Sequence, residues 1–96
     1  MNREKIIRTL KEHREVLRGM GVRSIALFGS AARDELGPDS DIDLLVDFSS
    51  PPGFDGYMKV KFYLEDVLGR RVDLVMRGAL KPWAWEAVRK EAIDVP

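Results

Sequence analysis

The sequence predicts a two-layer α/β (α+β) fold: a mixed sheet of three to four strands with helices on one face. Three observations predict it. Residues 41–48 and 71–76 alternate apolar and polar with a period of two, the mark of half-buried strands. Residues 3–18 and 55–68 carry apolar stripes at helical spacing. The order of elements is α-β-α-β-α-β-α, which places long helices against one face of a three-stranded core sheet.

Taken in order, the first helix is expected from Arg3 to Arg18. Ile6, Leu10 and Leu17 form its stripe, Asn2 can cap its start, and Gly19 or Gly21 can end it. Ser24 to Phe28 is a short apolar strand stopped by Gly29, and Ser30 to Glu35 can make a short helix. Gly37-Pro38-Asp39-Ser40 is turn chemistry. Asp41 to Phe48 follows as a strand, with Ile42, Leu44, Val46 and Phe48 on one side and Asp41, Asp43, Leu45 and Asp47 on the other. After the 49–53 loop, Asp55 to Leu68 is the second long helix, and Gly69 is its stop. Arg71 to Met76 is a strand that sets Val72, Leu74 and Met76 opposite Arg71, Asp73 and Val75. Pro82 suits the first turn of a last helix reaching about Ile93.

Composition bounds the function. The 96 residues make a single domain, 1–96, with no repeat or linker. Sixteen basic and sixteen acidic side chains cancel, which argues against bulk nucleic-acid binding but leaves room for one nucleotide whose charge a metal offsets. The absence of cysteine excludes disulfides, thiolate zinc sites and cysteine nucleophiles. The polar start is no signal peptide, and no apolar run approaches the ~20 residues that span a bilayer. A cytoplasmic location, with no membrane partner, is the expectation. Scarce Asn, Gln and Cys, with Arg outnumbering Lys, fit a thermophilic source.

The chemistry sits in two halves. Asp41 and Asp43 are two apart on a strand, so both carboxylates leave the same face, about 7 Å apart at their bases. Like charges this close raise each other's pKa unless a cation lies between them. Mg²⁺ suits such oxygen donors, combining carboxylates with phosphates and waters. If the strand of Asp73 neighbours that of Asp41, three carboxylates meet, a set able to hold two metals about 3.5–4 Å apart. The plainer use of such residues is a solvated strand face. In the other half, Gly29 permits a sharp turn and a close phosphate approach, and Ser30 can cap the helix behind it or reach a phosphate oxygen. The commoner role of that dipeptide is a simple cap. No Gly-Lys-Ser/Thr follows, so it is not a Walker loop.

Gly29-Ser30, ten residues, then Asp41-Ile42-Asp43 resembles the nucleotidyltransferase superfamily that includes DNA polymerase β and the aminoglycoside nucleotidyltransferases. The segments Leu27 to Arg33 and Ser40 to Val46, with Arg70 to Val75 as the strand of a third carboxylate, resemble most closely the MNT family of small bacterial and archaeal proteins. Asp34 departs from that pattern, which commonly has Gly there. The resemblance covers most of the chain, and its length is that of a minimal nucleotidyltransferase-like domain. It implies a transferase moving a nucleoside monophosphate, AMP from ATP foremost, to a hydroxyl. Asp41 and Asp43 would hold two Mg²⁺ ions, with Mn²⁺ able to substitute. Asp73 would hold the catalytic ion and help deprotonate the acceptor. Gly29 and Ser30 would take the β- and γ-phosphates. A HEPN-domain protein would be the partner, as toxin to this antitoxin. The alternative is a binding module that neutralises its partner without chemistry.

Other side chains are ambivalent. Arg33 can touch a phosphate or pair with Asp34, Asp39 or Asp41. His13 reads as packing or surface, Arg70 and Arg71 as edge charges, and Phe54 and Tyr57 as loop anchors. Trp83 and Trp85 point in different directions, one toward the core and one toward an exposed surface.

Overall fold

The structure is a computed structural model that describes all 96 residues. Asn2 lies in extended backbone and its side chain accepts the Lys5 N–H at 2.8 Å, so helix α1 (Arg3–Glu12) begins capped. The expected single helix divides at His13. That residue leaves helical backbone, and α2 (Arg14–Gly19) starts anew beyond it. A tertiary contact holds the break: His13 Nδ1 lies 2.6 Å from the Tyr63 hydroxyl, with the rings edge to face. Helical periodicity cannot register a bond made across 50 residues.

Strand β1 (Val22–Leu27) runs into the short helix α3 (Gly29–Ala32), then come β2 (Ile42–Phe48) and α4 (Gly53–Leu68). Gly69 closes α4 at φ +68, its N–H bonded to the Glu65 carbonyl. Strand β3 (Val72–Met76) leads through a 3₁₀ turn (Arg77–Ala79) to α5 (Pro82–Glu91), which has Pro in its first turn. Helix α5 stops at Glu91, short of the expected Ile93. Ile93 and Asp94 instead form β4, paired antiparallel with Leu27 and Ala26. The sheet order is β3-β2-β1-β4, with β2 parallel to β3 and the other pairs antiparallel.

The core lies on one side of this sheet. Ile25 and Leu27 of β1, Ile42, Leu44 and Val46 of β2, and Val72 and Leu74 of β3 are buried. Ile6, Leu10 and Leu17 from α1 and α2, and Val60, Leu64 and Leu68 from α4, belong to the same cluster. The expected apolar registers are therefore the ones that fold. Two polar ties lock α4 to β3. Tyr57 donates to the Leu74 carbonyl at 2.5 Å, and Glu65 accepts the Val72 N–H at 2.9 Å while pairing with Lys61 at 2.8 Å. The Lys61 ammonium, then that N–H, hold the Glu65 carboxyl below its ordinary range.

The second face is less bare than expected. Helix α5 buries no residue, yet it lies over one end of that face. Trp85, Arg89 and Ala92 line a groove there with Ser24, Ala26 and Asp47. Trp83 is 77 % exposed, while Trp85 is half-buried with Arg77 stacked 4.4 Å from its ring. Neither indole joins the core. No helix is long and apolar enough to cross a membrane.

Leu44 is fully buried at the centre of the cluster. Leu44→Ala should therefore destabilise the fold by about 2–5 kcal/mol, measured by urea denaturation. A loss below about 1 kcal/mol would show that the core is not where the structure places it.

Candidate active site

The parallel pairing of β2 with β3 decides what the open face carries. Its register sets Ile42 beside Val72, Asp43 beside Asp73 and Leu44 beside Leu74. Because side chains alternate, the same register that buries two apolar pairs brings two aspartates together on the opposite face. Asp73 is exposed; Asp43 is half-buried.

Gly29 sits directly over Asp43. The Phe28 N–H donates to the Asp43 carbonyl at 3.1 Å, which fixes the turn after β1 on the start of β2. Gly29 has φ +62, and a Cβ there would collide with the Asp43 carboxylate. Both its conformation and the lack of a side chain are required. Helix α3 starts at Gly29, not Ser30. Its cap is the extended Phe28 and no side chain caps it, so Ser30 is a first-turn residue rather than the cap.

The carboxylates crowd one another. The Asp43 carboxyl rises from 3.8 to about 6, first through burial, then through the charges of Asp73 and Asp41; Arg33 opposes the rise. Asp41 stands just before β2, exposed, and pairs with Arg71 at 3.1 Å. The structure thus brings Asp43 and Asp73 together, with Asp41 close enough to be felt but turned to a guanidinium. No three acidic or imidazole side chains converge on one point in this conformation. Hard oxygen donors under mutual repulsion nonetheless suit a divalent cation. Asp43 and Asp73 are placed to hold one, and Asp41 can join on leaving Arg71.

Several partners differ from those expected. Arg33 pairs with none of Asp34, Asp39 or Asp41; it donates to Glu35 at 2.7 Å and Glu91 at 2.9 Å. Those two carboxylates, Glu35 first, raise its pKa. Arg70 is no loose edge charge. Its guanidinium donates to the carbonyls of Gly37 and Ser40, at 2.5 and 2.9 Å, and so ties down the turn that delivers Asp41. Asp34 adopts φ +59, the left-handed conformation that glycine takes without cost. Its carboxylate accepts the Arg3 N–H at 2.9 Å, so its charge serves the start of α1. Glu91 escaped the sequence reading altogether. It is the last residue of α5, and its Oε1 accepts the Gly29 N–H at 3.0 Å. An isolated glutamate carries no local signal of a contact 62 residues away.

A glycine turn over paired strand aspartates is the arrangement in which the sequence resembles the nucleotidyltransferases. The chain belongs to the nucleotidyltransferase domain family, whose description it matches over residues 4–95. It is similar to the protein adenylyltransferase MntA of Thermococcus cleftensis, with 43 % identity over 93 residues, covering 96 % of this chain and 94 % of the relative. A Methanocaldococcus jannaschii protein, provisionally described as a protein adenylyltransferase, is 41 % identical over 88 residues, covering 90 % of each. Among solved structures, a provisionally described minimal nucleotidyltransferase superposes with a TM-score of 0.85 at 35 % identity, covering 97 % of this chain and 95 % of the other. The fold is also that of the MNT antitoxin in complex with a tri-AMPylated HEPN toxin from Shewanella oneidensis. That match has a TM-score of 0.67 and 20 % identity, and covers 92 % of this chain and 69 % of the other. A toxin–antitoxin structure with AMP-PNP gives 0.71 and 23 %, covering 100 % and 73 %.

The raised Asp43 pKa has a definite sign. A carboxyl that holds its proton more tightly when folded favours the fold at low pH, and that advantage is lost as pH rises from about 4 through about 6. Without divalent ions, thermal melts should show the wild type losing stability relative to Asp43→Asn across that window. Parallel profiles would mean that the crowding is absent.

Proposed function

We propose that this protein transfers AMP from ATP to a hydroxyl on a HEPN-type partner, acting as the antitoxin of a toxin–antitoxin pair in the cytoplasm. The observation that carries the reading is the Asp43–Asp73 pair directly beneath the Gly29 turn. The adenylyltransferase relatives support the reaction, and the toxin–antitoxin likenesses support the partner.

In this reading Gly29, Ser30 and Arg33 hold the β- and γ-phosphates. Gly29 offers a backbone N–H with no side chain of its own in the way, Ser30 a hydroxyl, and Arg33 a positive charge. Asp41, Asp43 and Asp73 hold Mg²⁺, two ions when ATP is present, with Mn²⁺ able to replace it. The metal supplies positive charge that offsets the carboxylates and the phosphates together. Asp73 is the more exposed of the paired carboxylates, which leaves it open to an incoming hydroxyl. It takes the hydroxyl proton as the oxygen bonds to the α-phosphorus. The bond from that phosphorus to the oxygen bridging to the β-phosphate breaks, and pyrophosphate leaves. Another nucleoside triphosphate would serve the same phosphate contacts, since none of these residues reads the base. With no net charge, the chain has no bulk attraction to nucleic acid.

A second reading has its own support. Asp41 is engaged by Arg71 and the Gly29 N–H by Glu91, so the resting site is not arranged for chemistry. In that reading the domain neutralises its partner by binding alone.

Partner, Mg²⁺ and labelled ATP should yield AMP on a partner Tyr, Ser or Thr. Asp43→Asn and Asp73→Asn should each cut labelling by about 100-fold or more, the scale set by losing one electrostatic group at a transition state. Variants that no longer transfer AMP yet neutralise the partner as well as wild type would establish the binding module instead.

A further inference from the structure

The strongest unexplained feature is Glu91. Its two carboxylate oxygens are divided between two of the three donors assigned above to phosphate. Oε1 takes the Gly29 N–H at 3.0 Å, and Oε2 takes the Arg33 guanidinium at 2.9 Å. One backbone N–H serves one well-aligned acceptor, so a phosphate oxygen and Glu91 cannot both hold it. Nor does the helix favour a carboxylate there. Glu91 ends α5, where the helix dipole disfavours negative charge.

The element that carries Glu91 is lightly held. Helix α5 contributes no buried residue, and β4 has only two residues. Beyond the Glu91 contacts, this end of the segment is held by the Leu27–Ile93 and Ala26–Asp94 pairing, by the Val95 N–H donating to the Ile25 carbonyl at 3.0 Å, by Ile93 and Val95 resting half-buried on the core, and by Arg14 donating to the Pro96 carbonyl at 3.2 Å. Few buried contacts and a short ladder mark a segment that opens well below the global unfolding free energy.

We infer that the α5–β4 segment is a latch, closed by Glu91 standing in for a phosphate on the Gly29–Arg33 donors and released when a triphosphate takes them. The inference rests on the proposed function for the identity of the displacing ligand, but not for the closed contact. Binding energy from the phosphates is then divided between gripping the nucleotide and opening the latch. Resting affinity is the intrinsic affinity scaled down by the fraction of open molecules.

Two measurements test it. The first needs no nucleotide. In Glu91→Ala, amide exchange at Val95 should quicken by about tenfold or more while amides in β2 stay protected, since a charged hydrogen-bond partner of the latch is lost. Unchanged Val95 exchange would overturn the latch. The second is the affinity for a non-hydrolysable ATP analogue with Mg²⁺, by calorimetry. Glu91→Ala should bind about tenfold more tightly than wild type, the worth of one competing charged hydrogen bond. Glu91→Gln, which keeps an acceptor but not the charge, should fall between. Addition of the analogue to wild type should quicken Val95 exchange as the alanine variant does. Equal affinities in all three proteins would overturn the competition. Analogue binding in none, with Val95 still loosened in Glu91→Ala, would overturn the phosphate reading of the turn while leaving the Glu91 tie intact.

Discussion

Everything at the site depends on the in-register parallel pairing of β2 with β3. Alternation along a strand makes one register serve two purposes. Ile42, Leu44, Val72 and Leu74 enter the core only if Asp43 and Asp73 emerge side by side on the other face. A slip of β3 by one residue would turn Asp73 into the core and Val72 and Leu74 out of it, at a cost the rest of the apolar cluster could not offset. The hydrophobic core therefore enforces the repulsion between the carboxylates. Core and site are two faces of one constraint, and the ties from Tyr57 and Glu65 that fasten α4 to β3 protect both.

The turn over this pair is specified just as tightly. Phe28 bonds the Asp43 backbone, and Gly29 must pass over the Asp43 side chain with no Cβ of its own. That closeness makes the turn useful for phosphate chemistry, because donors lie beside acidic oxygens that a metal can bridge. It also leaves the resting site unbalanced. Arg71 on Asp41, and Arg33 with Glu91 over Gly29, are the chain's own answers to that imbalance. Each occupies a group that the ligands of the proposed reaction would need.

Much of this was legible in the sequence because it rests on periodicity and spacing. The alternation at 41–48 and 71–76 located the strands and their acidic faces, and the spacing of Gly29, Asp41 and Asp43 suggested the family. What stayed hidden has a common physical form: single side chains that reach across the fold. His13 bonding Tyr63 splits a helix whose pattern runs straight through it. Arg70 looks like an edge charge until the turn at 37–40 folds onto it. The two residues of β4 are too few to alternate and borrow their strand character from β1. Glu91 and Arg33 find each other only after five helices and four strands are in place.

Asp34 shows how a departure from a family pattern is absorbed. By its place in the sequence, its charge would sit near the phosphate turn and oppose a triphosphate. The structure directs it elsewhere. The left-handed backbone at φ +59 aims the carboxylate at the first N–H of α1, where the helix dipole favours an anion. Aspartate is among the few non-glycine residues that tolerate this conformation. Arg3 answers in the other direction, donating from its guanidinium to the Ala32 carbonyl at 2.9 Å. The end of α3 and the start of α1 are thereby clasped by two reciprocal bonds. The strain of a non-glycine residue is set against a cap and a tertiary tie, and the negative charge is consumed away from Gly29. Asp34 is turned away from the donors, and the carboxylates that reach them are Glu35, on Arg33, and Glu91, on Arg33 and the Gly29 N–H.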